Sequence, residues 1–284
     1  MSGLTDWREI SEGVYVAVAQ PEAVTIGLVV GADAALVVDT GSDPLQGLAI
    51  RQAVASVTRV PVSTAVLTHW HFDHALGLAA FDDVLTIGHE TLGSHLATAP
   101  AGGPSEAADL AQRHGLNPSE LTVPHRQIAV ATAVDLGDRR VEIAHLGRGH
   151  TDGDLVVVVP DSDVLFAGDL IESAGPPWYG DDSFPHEWAA TLDGIIGLMT
   201  AHSRAVPGHG TEVDREFVFQ ARGEVAAIAG EIRRLVEAGV GPADALGAGS
   251  WPYPEDHVAL GVAQGYAQLV DQGVGAPRRT LPLA

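Results

Sequence analysis

Seven consecutive residues constrain this chain more than any other stretch. Thr68-His69-Trp70-His71-Phe72-Asp73-His74 sets three imidazoles and a carboxylate at the end of an apolar run. The run before it, Val62-Ser63-Thr64-Ala65-Val66-Leu67, is β-branched and apolar and is bounded by Pro61, so it reads as a strand. Ala75 to Ala80 suits a short helix, which leaves the histidines on a strand-to-helix loop. In extended backbone, side chains alternate faces, so His69 and His71 project to one side and can grip one ion. The turn into the helix swings Asp73 and His74 toward a second position beside it. Neutral imidazole suits zinc, iron or nickel, and a carboxylate adds a hard oxygen donor. A chain with 13 His could produce such a cluster by chance or as surface polarity. Its place at a strand end, with ligand-capable residues downstream, argues against that.

Three later segments share one context: an apolar strand ends, a glycine-rich turn follows, and a ligand-capable side chain appears. They are Gly147-Arg148-Gly149-His150-Thr151-Asp152-Gly153-Asp154, Phe166-Ala167-Gly168-Asp169 and Val206-Pro207-Gly208-His209-Gly210. Glycine lets backbone approach a crowded centre. Singly, His150 could be a turn residue, Asp169 a helix cap and His209 a surface loop; together with the first motif they point to one centre.

Around these segments the pattern predicts a β-meander over 14–40, ending at Asp39-Thr40-Gly41, then a helix from Pro44 to Arg59 capped by Asp43 or Ser42. A strand at Val84 to Ile87 leads to His89 and a helix near 90–97, and 98–126 reads as an insertion or lid around a helix at 105–114. Strands Gln127 to Val134 and Arg139 to Ala144 should form a hairpin across Gly137-Asp138. Leu155 to Val159 and Val164 to Ala167 should form a second pair, followed by an irregular loop to Pro185. Helix 187–201, strand Arg204 to Val206, an amphipathic helix from Val213 to Glu237 and a helix near 256–271 complete the chain. Strands and helices in this order, twice over, suggest two similar halves packed sheet to sheet with helices outside. One domain over 1–284 is expected, with a core at about 10–212 and a C-terminal helical extension over 213–284.

Composition narrows the chemistry. Acidic residues outnumber basic ones 37 to 15, a formal charge of −22, and every basic residue is Arg. Such a surface repels phosphate backbones, so no nucleic-acid partner is expected. Zero Cys excludes thiolate ligands, disulfides and cysteine nucleophiles, so any metal must be held by nitrogen and oxygen. No 18-residue apolar stretch and no basic-then-apolar leader stand out, which leads to the expectation of a soluble, cytoplasmic protein without a membrane partner. A homodimer stays open.

With these motifs in place, the sequence resembles the metallo-β-lactamase superfamily. The resemblance rests on His-x-His-x-Asp-His at 69–74, on His150, Asp169 and His209 in that order, and on the Val38-Asp39-Thr40-Gly41 turn, and spans roughly 10–212. It implies a mixed α/β, four-layer αβ/βα sandwich with metals at one sheet edge. By that resemblance His69, His71 and His150 would hold one metal, Asp73, His74 and His209 a second, and Asp169 would bridge them. Asp39 would steady the motif loop from behind. Two zinc ions are expected, with iron or manganese as alternatives. A hydroxide shared by the two ions would be the nucleophile. Asp73 is placed to orient it and to pass a proton to the leaving group.

The substrate class is a small molecule with an ester, thioester, lactone or amide-type bond. Asp169 argues against a true β-lactamase, which by resemblance has Cys or Ser there, and favours relatives similar to glyoxalase II and lactonases. Lactonases have a Tyr shortly after the bridging Asp, where this chain has Leu170-Ile171-Glu172. An iron persulfide dioxygenase is the alternative from another chemical class, and β-lactamase or phosphodiesterase activity a further one. Flavodiiron chemistry is disfavoured by His71 and ribonuclease activity by the acidic surface. Trp178, Tyr179 and His186, with the 98–126 insertion, are the candidate substrate contacts. Of the remaining histidines, His89 is the strongest candidate for a role beyond structure.

Overall fold

A computed structural model describes residues 3–97, 106–117 and 121–274 of the chain. The first half runs β1 (Arg8–Ser11), β2 (Val14–Ala19), β3 (Val24–Val30), β4 (Ala35–Val38), α1 (Pro44–Val54), β5 (Val62–Val66), α2 (Phe72–Ala75), β6 (Leu85–His89), α3 (Leu92–Leu96), α4 (Glu106–Arg113) and β7 (Arg126–Ile128). The second half runs β8 (Ala131–Asp135), β9 (Arg140–His145), β10 (Leu155–Val159), β11 (Val164–Glu172), α5 (Pro185–Leu198), β12 (Arg204–His209), α6 (Arg215–Glu237), α7 (Ala245–Ala248) and α8 (Glu255–Asp271).

Hydrogen bonding links β7-β6-β5-β4-β3-β12-β11-β10-β9-β8 in one path, with β2 and β1 added on β3. The link between halves is slight: β3 and β12 pair only at Val24 and His209. Packing divides the path into two facing sheets. Side chains alternate across a strand, and this chain uses both faces. On β4, Leu36 and Val38 point into a core shared with Leu155, Val157, Val159 and Phe166 of the second half. Ala35 and Val37 point the other way, onto Ile50 and Val54 of α1. On the second half, Val156, Leu165 and Ala167 face α5, α6 and α8 through Trp188, Leu192, Ile228, Ile232 and Val262. The result is the expected mixed α/β arrangement of helix, sheet, sheet and helix, with α6, α7 and α8 sharing the outer core of the second sheet.

Local chemistry fixes the ends. Asp43 caps α1, its carboxylate accepting from Gln46 N at 2.8 Å, with Pro44 pre-set for the first helical turn. Asp214 caps α6 in the same way through Phe217 N.

Several boundaries differ from those read in the sequence. The helix after the motif begins inside it, at Phe72, and a separate 3-10 turn covers Leu78–Phe81. The stretch Gln127 to Val134 is two strands: β7 pairs in parallel with β6, whereas β8 pairs with β9, so this segment crosses from one sheet to the other. β11 does not stop at Ala167 but continues through Glu172 alongside β12. Strand β1 and helix α7, absent from the sequence reading, are short elements with weak periodicity. Residues 98–105 of the insertion, and the terminal segment 275–284, lie outside the described residues. Among the described residues, no helix is long and apolar enough to cross a membrane.

Trp188 anchors the second half. It is fully buried and its indole N–H donates to Leu170 O at 3.1 Å. Trp188→Ala should therefore lower stability by about 3–5 kcal/mol, leaving a cavity and an orphaned carbonyl. Denaturant unfolding of the two proteins checks this, and a loss below about 1 kcal/mol would contradict it.

Candidate metal centre

The sheet edge where β5, β9, β11 and β12 end and β10 begins gathers the sequence-predicted residues. β5 stops at Val66, Thr68 to His71 form the loop, and Asp73 and His74 lie in the first turn of α2. His150 comes from the loop between β9 and β10, Asp169 from within β11 and His209 from the end of β12. Three overlapping groups have ligand atoms within 4.8 Å of one another: His69, His71, His150 and Asp169; Asp73, His74 and His209; and Asp169, Glu172 and His209.

Asp169 is central. Its carboxylate lies 3.8 Å from His69 Nε2, 3.5 Å from His150 Nε2, 3.1 Å from His74 Nε2 and 3.6 Å from His209 Nε2. Asp73 Oδ2 lies 3.3 Å from His209 Nε2 and 3.7 Å from His74 Nε2. Glycines make room. A Cβ on Gly208 would land on Asp169 Oδ1, and one on Gly168, which has φ +53°, would sit 2.7 Å from Thr68 Oγ1.

Four histidines have one ring nitrogen engaged behind them and the other turned to the centre. His74 Nδ1 donates to Asp39 Oδ2 at 2.8 Å. Thr68 Oγ1 donates to the same carboxylate at 2.9 Å and is thereby left to accept from His69 Nδ1 at 3.1 Å. His150 Nδ1 donates to Trp178 O at 3.1 Å, and His71 Nε2 to Asp182 Oδ2 at 3.1 Å. Each engaged N–H selects the tautomer whose lone pair points inward.

The inward atoms lack partners of their own. His69 Nε2, His74 Nε2 and Asp169 Oδ1 are buried without a hydrogen bond, and His150 Nε2 and His71 Nδ1 face each other at 2.8 Å. Lone pairs and carboxylate oxygens crowded in a dry site need protons or cations among them. The donor set, imidazole nitrogen and carboxylate oxygen, fits zinc, iron or manganese.

Titration follows the same logic. Burial holds His69 well below its ordinary value and lowers His150 to about 4. Burial also opposes protonation of His74 and His209, but the carboxylates outweigh it. Asp169, Asp73 and Asp39 raise His74 well above the usual range, and Asp73 and Asp169 push His209 up to about 9. Burial, then Asp169, pushes Glu172 up to about 9. Asp169 itself is held well below the carboxylate range, its burial overcome by the surrounding imidazoles.

The predicted backing residue Asp39 sits at 1% exposure with φ +63° and accepts from Thr68 N at 2.8 Å as well. The three predicted substrate contacts separate. Trp178 is exposed and lines the cleft above the centre, roughly 530 Å³, with Phe72, Glu172 and Pro176. Tyr179 does not reach it: its ring is 2% exposed and packs on Trp188 and Gly261. His186 is turned away, Nε2 engaging Gly265 O of α8 at 3.0 Å. Tyr179 belongs to the outer core of the second half, and His186, in the first turn of α5, faces α8. Of the insertion, Leu110 and Arg113 on α4 and His114 just after it line a neighbouring hollow bounded by Trp70, Phe72 and Trp178. His89 stands apart from the three groups, against the His145 ring at 4.2 Å and Thr91 Oγ1 at 3.0 Å.

Sequence reasoning missed Asp182, which accepts from both Trp70 Nε1 at 3.0 Å and His71 Nε2. Nothing in the local pattern of Gly180-Asp181-Asp182 marks it; only the fold brings it across from a point 111 residues away. Thr68 and Glu172 stood inside quoted motifs without a role assigned.

Comparison with known proteins shows the family and the fold. A family model described as Metallo-beta-lactamase superfamily matches residues 19–209. The chain is similar to the metallo-beta-lactamase type 2 of Bacillus cereus, 26% identical over 192 residues that cover 66% of this chain and 68% of that protein. It is similar also to the human acyl-coenzyme A thioesterase MBLAC2, 27% identical over 217 residues that cover 69% of this chain and 76% of that protein. Among solved structures, a metallo-beta-lactamase from Pontibacter korlensis superposes with a TM-score of 0.62 at 20% identity, covering 79% of this chain and 99% of that one. The mono-zinc form of FIM-1 from Pseudomonas aeruginosa does so with a TM-score of 0.62 at 21% identity, covering 78% and 94%. At these identities the superpositions establish the fold.

The proton-holding groups make stability depend on pH when no metal is supplied. Folded His209 and Glu172 keep protons up to about pH 9, whereas their ordinary values are 6.5 and 4.5. Above those ordinary values the unfolded chain binds fewer protons than the folded one, so stability is lost as pH rises toward the folded values. Asp154, pushed up to about 7 by burial, gives up its proton at the lower end of this range and adds a loss of the same sign. Chelator-treated protein should therefore melt at a lower temperature near pH 9 than near pH 7. Zinc-supplemented protein should show a widening gap above it, because metal replaces those protons. Parallel thermal melts across this range test both slopes; a flat chelated profile would contradict the assignment.

Proposed function

The chain belongs to the metallo-beta-lactamase superfamily, and from that premise we propose that it is a dinuclear metal-dependent hydrolase acting on a small molecule. The bond cleaved is an ester, thioester, lactone or amide-type bond. His69, His71 and His150 would hold one ion, Asp73, His74 and His209 the other, and Asp169 both; zinc is the expected metal. The observation that carries this reading is the Asp169 carboxylate set among four imidazole nitrogens at 3.1–3.8 Å, two from each predicted ligand set. Metal ions held there would supply Lewis acidity and a nucleophile from water at neutral pH.

The chain's own residues do the rest. Asp73 lines the cleft and faces His209, so its carboxylate can take a proton from the attacking water and return it to the leaving group. Phe72, Pro176 and Trp178 give the cleft apolar walls for an acyl group. No Arg lines this cleft among the described residues, and the chain has no Lys; Glu22 and Glu172 are its outer charges. That lining supports a neutral small molecule over a nucleic acid. The thioesterase relative makes a thioester the first bond to test.

β-Lactam hydrolysis is the second reading, favoured by the relatives named metallo-beta-lactamase type 2. It has to accommodate a substrate carboxylate in a cleft whose lining is acidic.

Elemental analysis of purified protein, combined with thioester, lactone, β-lactam and phosphodiester substrates, separates these readings. Zinc at about two equivalents with thioester or lactone turnover is the expected result. One iron with persulfide-dependent oxygen uptake would replace the hydrolase by a dioxygenase. Asp73→Ala should cut turnover by about 10²–10⁴-fold on the expected substrate. Full turnover in that variant with metal retained would remove Asp73 from the chemistry.

A further inference from the structure

Glu172 has no part in the ligand set inferred from the motifs, yet the backbone delivers it to the same centre. Residues three apart on a regular strand point to opposite faces. β11 is not regular here. Gly168 pairs with Pro207 and Glu172 with His209, so four steps along β11 match two along β12. Extra residues on one strand bend it and re-aim its side chains. This irregularity turns Asp169 and Glu172 toward the same cleft, which both line. Their carboxylates and the His209 ring lie within 4.8 Å of one another. Among the described residues, no hydrogen-bond donor reaches the Glu172 side chain. Carboxylates this close repel unless a proton or a cation lies among them, and the neighbouring Asp169 Oδ1 and His74 Nε2, 3.1 Å apart, find no partner beyond each other.

We propose that Glu172 is a ligand of the second cation position, and that its charge sets how tightly this position holds a divalent cation. The proposal rests on the dinuclear reading. It follows from the balance of donors. The first position has three imidazoles, His69, His71 and His150, with one shared carboxylate. The second has two imidazoles, His74 and His209, with Asp73, shared Asp169 and Glu172. With one imidazole fewer, the second position depends on carboxylate charge to hold a divalent cation.

Glu172→Gln keeps the shape and removes the charge. Metal-depleted full-length protein and the variant would each be titrated with manganese, followed by electron paramagnetic resonance, and separately with zinc, followed by elemental analysis after free metal is removed. The wild type should take two equivalents in total. Glu172→Gln should keep the first cation and bind the second about ten- to a hundredfold more weakly. Unchanged affinity for the second equivalent would overturn the assignment. So would loss of both cations in the variant, since Glu172 would then not act on the second position in particular. If the wild type binds a single equivalent of every metal tried, the dinuclear reading fails first and the proposal falls with it. The two failures are thus told apart by the wild type alone.

Discussion

Everything at the sheet edge depends on one buried carboxylate. Asp39 ends β4 in left-handed backbone and is all but inaccessible to solvent. Its oxygens receive Thr68 N, Thr68 Oγ1 and His74 Nδ1. Through Thr68 it reaches His69, so a single side chain fixes the orientation of two rings and the loop between them. Charge-assisted bonds in a dry site are stronger than neutral ones, and three of them offset the cost of burying the carboxylate and of holding φ positive. Without that anchor, His69 and His74 would sit on a loop free to rotate their lone pairs away from Asp169.

The same economy of support recurs around the other rings. Asp182 holds His71 and Trp70 together, and the Trp178 carbonyl holds His150. Trp70 in turn stacks on His95 at 4.4 Å, and His95 Nε2 lies 3.4 Å from Asp152. Asp152 and Asp154 flank Gly153 in the turn that carries His150, where Asp154 accepts from Thr151 N at 2.9 Å and Thr151 Oγ1 at 2.7 Å. The supports are therefore linked to one another, so a change behind one ring reaches its neighbours. Such linked polar groups rigidify a site when every member is satisfied.

How much of this was legible in the sequence follows from how local each feature is. The His69 to His74 motif is local, and its strand-to-helix setting is written in the apolar run before it. Asp39, His150, Asp169 and His209 each follow an apolar run at a glycine-bearing turn, so their convergence could be read from context. Asp182 and the Trp178 carbonyl could not, because their roles arise from contacts between segments far apart in the chain. Tyr179 and Trp178 are adjacent, yet only Trp178 reaches the cleft, since neighbouring residues in an extended loop face opposite ways. Glu172 was visible as the residue in a lactonase tyrosine's place, but its direction depends on a strand irregularity that no periodicity announces. The crossing from β7 to β8 was hidden because both pieces are short and extended and only Ala129 and Val130 separate them.

The centre also bears on how the two halves hold together. Their sheets share an apolar core, but β3 and β12 meet at the single pair Val24 and His209. His69, His71, Asp73 and His74 belong to the first half; His150, Asp169, Glu172 and His209 belong to the second. Burying side chains such as Phe166 and Leu36 is non-directional and would tolerate a small slide of one sheet over the other. The imidazole and carboxylate contacts would not, because they are short and angle-dependent. Bound cations would therefore act as cross-links at the edge where backbone pairing is sparsest, and their binding free energy would enter the docking of the halves directly. The acidic surface strengthens the argument: at a formal −22 the folded chain carries self-repulsion that a buried positive centre reduces. Register between the sheets and geometry at the centre are thus set by the same contacts.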